Sequence, residues 1–132
     1  MKKTPFILSN PDDVILLKAM INIDEISLAL DTAATHTVID LNTLLMMGHQ
    51  LSSVDESSTF AFETSNGIIN AQKLVVNTFT VLGITKHNYK VFTYDFLQSG
   101  VLSTYDGVLG LDFFKNSVLT IDFKNKWISI KM

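Results

Sequence analysis

The sequence predicts an all-β protein, a small closed barrel carrying one or two short helices. Three observations predict it. Short runs rich in Val, Ile, Phe and Thr recur along the chain, separated by turn residues at close intervals. Asn66-Gly67 stands between two apolar runs, a pairing that favours a tight hairpin because the turn needs positive φ. Hydrophobic residues make up 47% of the 132 positions and charged ones 17%, enough for one packed core and too apolar for a disordered chain. A chain of this length buries about two-thirds of its unfolded surface, so residues 1–132 read as a single domain. No internal repeat or low-complexity linker divides it.

The elements follow in order. Val14 to Ile23 is apolar and β-branched, Asp24-Glu25 supplies a turn, and Ile26 to Leu30 alternates up to Asp31. Thr37-Val38-Ile39 is a short strand. Asp40 then caps a short helix over Leu41 to Met47, which Gly48 ends. Phe60 to Thr64 and Ile68 to Val76 flank Ser65-Asn66-Gly67. Thr78 to Leu82 and Tyr89 to Phe96 are further strands, and Gly110 to Lys115 forms one helical turn. Val118 to Phe123 and Lys126 to Ile130 close the chain as a hairpin around Lys124-Asn125.

Composition excludes several functions. The net charge is −3 and every basic residue is Lys, so the chain offers no Arg forks or basic patch for nucleic acid. Cys is absent, which removes disulfides and thiolate metal sites. His36, His49 and His87 are scattered; only His36 and Asp40 stand four apart, and a strand there would break that helical spacing. No metal and no cofactor is expected. Behind Met1-Lys2-Lys3 the apolar stretch Pro5 to Leu8 is too short for a signal peptide, and Lys18, Asp24 and Asp31 interrupt the longer ones. The expected protein is soluble and cytoplasmic, with no membrane partner.

Chemistry concentrates in two segments. In Leu28-Ala29-Leu30-Asp31-Thr32-Ala33-Ala34-Thr35, an apolar strand runs into a carboxylate followed by small residues that admit another backbone. Taken alone, Asp31 reads first as the cap of a turn or helix. The second segment is Tyr105-Asp106-Gly107-Val108-Leu109-Gly110-Leu111-Asp112-Phe113-Phe114, two apolar residues before a Gly and a short helix. Together they resemble the retropepsin-like aspartic proteases, whose members carry Asp-Thr/Ser-Gly-Ala after an apolar strand, then a flap hairpin, then apolar-apolar-Gly. Asp31-Thr32-Ala33-Ala34 matches the first element, Asn66-Gly67 sits where the flap tip belongs, and Val108-Leu109-Gly110 matches the last. Thr35 to Ile39 and Gly107 to Phe113 look like retrotransposon and bacterial members rather than retroviral ones. The resemblance spans roughly Val14 to Ile130.

The resemblance implies a half-pepsin barrel acting as an aspartic endopeptidase on extended polypeptide. Such chemistry needs two carboxylates facing one water. The chain has one matching acidic motif, so the second carboxylate is Asp31 of another copy, and the site forms on a homodimer axis. Thr32 would bond across that axis. Ala33 and Thr35 would bind substrate through their backbones, and Asn66, Gly67 and Ile68 would close over it. Val108, Leu109 and Gly110 would support the catalytic loop with Ala34. The departure is Ala33, where the family has Gly. Its Cβ is costly if the position needs positive φ and harmless otherwise. That departure opens the alternative of a weak or inactive peptide-binding or dimerisation module. An unrelated barrel for an apolar ligand is the other rival, and it predicts a monomer with a closed cavity. Among weaker signals, Met20, Met46, Met47 and Met132 suit core or dimer packing, with Met46 and Met47 also placed to line a pocket. Trp127 suits a core or interface, and Asp12-Asp13 a solvated turn. Thr4 to Ile7 and Trp127 to Ile130 are candidates for the dimer interface, and the loop Leu97 to Thr104 for substrate pockets.

Overall fold

The structure is a computed structural model that describes residues 2–9, 14–49, 54–64, 67–101 and 103–132, with the backbone alone for 54–60 and 62–64. In chain order the elements are β1 (Thr4–Pro5), β2 (Ile7–Leu8), β3 (Ile15–Ile21), β4 (Asp24–Leu30), β5 (Val38–Asp40), α1 (Leu41–Met46), β6 (Val54–Thr64), β7 (Gly67–Val81), β8 (Ile84–Tyr94), β9 (Gly107–Leu109), a 3-10 turn (Leu111–Phe114), β10 (Val118–Asp122) and β11 (Trp127–Lys131).

Period-two alternation sets the inner face. On β3, Leu17, Ala19 and Ile21 are buried, while Lys18 points outward beside Glu25 across the hairpin. On β7, Leu74, Val76, Phe79 and Val81 are buried. The large sheet runs β2-β3-β4-β9-β5-β8-β7-β6, and β3 also pairs with β7 through Ala19↔Val81 and Ile21↔Phe79. That pairing closes β3-β4-β9-β5-β8-β7 into a six-stranded barrel. Ile21, Leu28, Ile39, Phe79, Leu109 and Phe113 are among the side chains that fill it. Burying each stabilises the fold by about 1.5–3 kcal/mol before conformational entropy is counted. A smaller sheet, β1-β11-β10, joins the two ends of the chain through Thr4↔Ile128.

The strand that matters for the site is β9. It lies between β4, to which it is parallel, and β5, to which it is antiparallel. Gly107 is the residue that admits this insertion, since a Cβ there would run into the carbonyl oxygen of Val38.

Several local expectations are corrected. The β3–β4 turn is Asn22-Ile23, not Asp24-Glu25: Ile21 pairs with Asp24, so the loop has two residues, and Asn22 takes the positive φ of 55° that it requires. Its side chain also accepts a hydrogen bond from the Thr78 backbone N–H at 3.2 Å. β7 runs unbroken to Val81, and β8 starts at Ile84 rather than near Tyr89. The turn between them, Leu82-Gly83, puts a leucine at φ 55°, where burial of its side chain compensates. β8 ends at Tyr94, short of Phe96. Helix α1 ends at Met46, with Met47 as its cap and Gly48 at φ 86° just beyond. Met46 and Met132 are exposed on this chain rather than in its core, whereas Met47 packs against the core. Trp127 is half-buried with the Lys3 ammonium 4.5 Å from its ring centre. Asp12-Asp13 lie outside the described residues.

Candidate active site

Strand β4 delivers Asp31 at the point where its apolar alternation ends. The Asp31 N–H donates to the Leu109 carbonyl at 3.1 Å, extending the β4–β9 ladder by one bond. The chain then turns tightly. Asp31 Oδ1 accepts from the Ala33 N–H at 3.0 Å, and the Asp31 carbonyl accepts from the Ala34 N–H at 3.1 Å. This is the local bonding by which Asp favours turns. The Ala34 carbonyl in turn accepts from the Leu111 N–H at 2.8 Å. The loop 31–34 is thus clamped to 109–111 at both ends, which brings the two chemistry-bearing segments into register.

Gly110 sits in the middle of that clamp against the backbone of His36. A Cβ there would lie 2.5 Å from both the His36 carbonyl carbon and oxygen. Its φ of −97° is available to any residue, so the requirement at Gly110 is for space. Its neighbours Leu109 and Val108 are buried and half-buried respectively.

Thr32, Ala33 and Thr35 are exposed on the single chain, and Asp31 and Ala34 are half-buried. Ala33 is not among the residues with positive φ, so its Cβ carries no left-handed strain. The Thr35 hydroxyl lies 2.8 Å from His36 Nδ1, and the His36 ring meets Phe92 edge-on at 4.9 Å. Gly67, at φ 109°, and Ile68 are exposed at the end of the β6–β7 hairpin, paired with Thr64 and Glu63 rather than with either segment of the clamp. Asn66 lies outside the described residues.

The two other acidic residues of the second segment are committed elsewhere. Asp106 accepts from the Ser27 N–H at 2.8 Å and from the Thr43 hydroxyl at 3.1 Å, tying β4 to α1. Asp112 Oδ1 accepts from the Thr37 hydroxyl at 2.9 Å. Thr37 is fully buried, and its oxygen also accepts from the Gly110 N–H at 3.2 Å. The Tyr89 hydroxyl stands 3.4 Å away. Burial holds the Tyr89 phenol well above its ordinary pKa; the Thr37 bond opposes this and the nearby Asp112 adds to it. Lys86 donates to the Phe113 carbonyl at 2.7 Å and stands over the Phe113 ring. Burial lowers its pKa against the pull of Asp112. Phe113 packs on Phe79 and Tyr89, which fixes the 3-10 turn behind the loop.

Residue types and spacing in the sequence did not single out Thr37, Lys86 or Tyr89, nor did they give Asp112 a place at the site. Thr37 and Asp112 are 75 positions apart, and each by itself reads as an ordinary strand or turn residue. Among the described residues, no group of three or more His, Asp or Glu side chains is arranged to hold a metal ion. No helix among them is long and apolar enough to cross a membrane.

A closed barrel with a strand inserted beneath an Asp-bearing loop is the retropepsin-like fold. The chain matches the crystal structure of a retropepsin-like aspartic protease from Rickettsia conorii with a TM-score of 0.67 at 19% sequence identity, covering 99% of this chain and 94% of that one. It also matches the retroviral protease-like domain of Ddi1 from Leishmania major, with a TM-score of 0.58 at 15% identity, covering 90% of this chain and 94% of that one. No curated protein sequence matches it. The family model described as aspartyl protease matches residues 17–113, and the chain belongs to that family.

Proposed function

We propose that the protein is an aspartic endopeptidase that hydrolyses extended polypeptide, its active site formed on the two-fold axis of a homodimer by one Asp31 from each protomer. The observation that carries this reading is the clamp. Asp31 sits on an accessible loop held from both ends by β9 and the residue after Gly110, while Asp106 and Asp112 are occupied in other bonds. A second carboxylate therefore comes from a second copy.

Two carboxylates about 3 Å apart cannot both ionise, so the pair holds one proton. The ionised member takes a proton from water as it attacks the scissile carbonyl, and the protonated member gives one to the leaving amine. Thr32 bonds across the axis and keeps the two loops rigid. The exposed backbone at Ala33 and Thr35 pairs with substrate as a strand would. The hairpin end at Asn66, Gly67 and Ile68 closes over it and excludes water. Ala34, Val108, Leu109 and Gly110 support the loop from behind. The ordinary φ at Ala33 supports retained activity, since its Cβ carries no left-handed backbone strain.

The test is digestion of a diverse peptide library at several pH values by wild type and Asp31→Asn, at a concentration where the dimer is verified. Cuts that vanish in the variant and decline as the pair loses its proton at higher pH are the expected result. A rate flat from roughly pH 5 to 9 refutes the shared-proton mechanism. An intact dimer that makes no cut refutes the peptidase and favours a peptide-binding module of the same fold.

A further inference from the structure

We propose that Asp112 is a positioning residue for Asp31, acting through the Thr37 hydroxyl and the Leu109–Gly110 peptide group. The inference rests on the peptidase reading for its catalytic consequence and on the hydrogen bonds alone for its structural one.

The bonds form a directed chain. Thr37 has one hydroxyl proton and two acceptor lone pairs. The Gly110 N–H is a donor, so toward it the Thr37 oxygen must accept, at 3.2 Å. The hydroxyl proton is then left for Asp112 Oδ1 at 2.9 Å. Gly110 N and Leu109 O belong to the same planar peptide unit. Its N–H is held by Thr37, and its C=O accepts from the Asp31 N–H at 3.1 Å. The plane cannot rotate to leave Thr37 without moving the acceptor away from Asp31. Asp112 thereby sets the hydroxyl, the hydroxyl sets the peptide, and the peptide sets the backbone of Asp31.

The surroundings make this arrangement stiff. Thr37 is wholly buried, so water offers its hydroxyl no substitute acceptor. The Asp112 charge acts on Lys86, raising its pKa against the burial that lowers it, and the Tyr89 hydroxyl stands 3.4 Å from the Thr37 oxygen. The ring of Phe113, fully buried against Phe79, fixes the turn that carries Asp112. A chain of bonds within a low-dielectric site strengthens each member. Catalytic geometry is sensitive on this scale: a displacement of about 1 Å costs on the order of a hundredfold in rate.

The experiment uses the full chain and two readouts, peptide cleavage and amide hydrogen exchange by NMR. Asp112→Ala and Thr37→Val break the chain of bonds. Asp112→Asn keeps an oxygen acceptor, and Thr37→Ser keeps the hydroxyl. In the first pair, kcat is expected to fall by on the order of tenfold to a hundredfold with KM within about twofold. Exchange at the Gly110 and Asp31 amides is expected to rise by about tenfold or more relative to the barrel amides of Ala19 and Val81. The second pair recovers most of both losses. Ile128→Ala, in the small sheet, is the control for lost stability without a selective change at those two amides. A uniform rise in exchange across the barrel, or a loss not recovered by the conservative variants, overturns the inference. If wild type cuts no peptide, the peptidase reading fails and the exchange pattern alone decides: a selective rise at Gly110 and Asp31 sustains the positioning role, and its absence overturns it.

Discussion

Replacing Gly110 with alanine tests the clamp most directly. The added Cβ would stand 2.5 Å from the His36 carbonyl carbon and oxygen and 2.9 Å from its nitrogen. Ordinary carbon contacts lie at about 3.5–4.0 Å, so the two backbones must separate by roughly 1 Å. They are not free to do so. Gly110 N is bonded to Thr37, Leu109 O to Asp31 and Leu111 N to Ala34, the last at 2.8 Å. Overpacking of this kind costs about 1–3 kcal/mol, and losing one of those bonds adds about 1 kcal/mol. A total near 3 kcal/mol is a large part of the 5–15 kcal/mol that typically holds a domain together. At roughly 4 °C per kcal/mol for a domain of this size, Tm falls by about 12 °C. Gly48→Ala is the comparison. Gly48 has φ 86° and nothing within 4 Å of its Cβ position, so its cost is left-handed strain alone, about 1–2 kcal/mol. Thermal and urea unfolding, followed by circular dichroism and Trp127 fluorescence, measure both. A Gly110→Ala protein within about 3 °C of wild type, or no less stable than Gly48→Ala, refutes the claim that space is what position 110 requires.

Two further outcomes are expected. Because Ala33 has an ordinary φ, Ala33→Gly frees the unfolded chain without relieving strain and should cost about 0.4–1 kcal/mol by urea unfolding. Peptide cleavage by that variant should equal or fall below wild type; a clear gain in rate contradicts the view that Ala33 fits the loop. Tyr89 has a raised pKa in the fold against an ordinary value of 10.0, so its contribution to stability is complete below about pH 10 and is lost as the pH rises beyond. Tyr89→Phe should therefore flatten the alkaline loss of stability, and an unchanged slope of unfolding free energy against pH above 10 would remove burial of the phenol as its cause.

Local signals in the sequence sufficed where local chemistry decides. An apolar β-branched run located β3, alternation located β4, two apolar runs covered most of what is one strand in β7, and the strand-then-acid pattern of Leu28 to Thr35 stood out by residue type. Pairing decided the rest. Asp24 and Glu25 have the composition of a turn, yet the register that matches Ile21 with Asp24 makes them strand residues and moves the turn to Asn22. Leu82 is no turn former by propensity, and it occupies one because its side chain is buried while its backbone reverses. The bond from Thr37 to Asp112 had no signal at all, since nothing in either neighbourhood marks a partner 75 residues away. The clamp around Asp31 has the same origin. Its halves were conspicuous separately, and only the insertion of β9 joins them.

That insertion also orders events in time. Strands β4 and β5 are neighbours in the chain but leave a slot between them, and Gly107–Leu109 fills it. On the ribosome, at about 5–20 residues per second, the slot stays vacant for several seconds after β5 has emerged. Throughout that interval the Asp31 N–H lacks the Leu109 carbonyl, and Gly110 has not reached His36. Pairing across so long a separation is entropically slow even after synthesis. The loop therefore cannot take its working shape before β9 has emerged, and until then a nascent chain carries Asp31 without the geometry to use it.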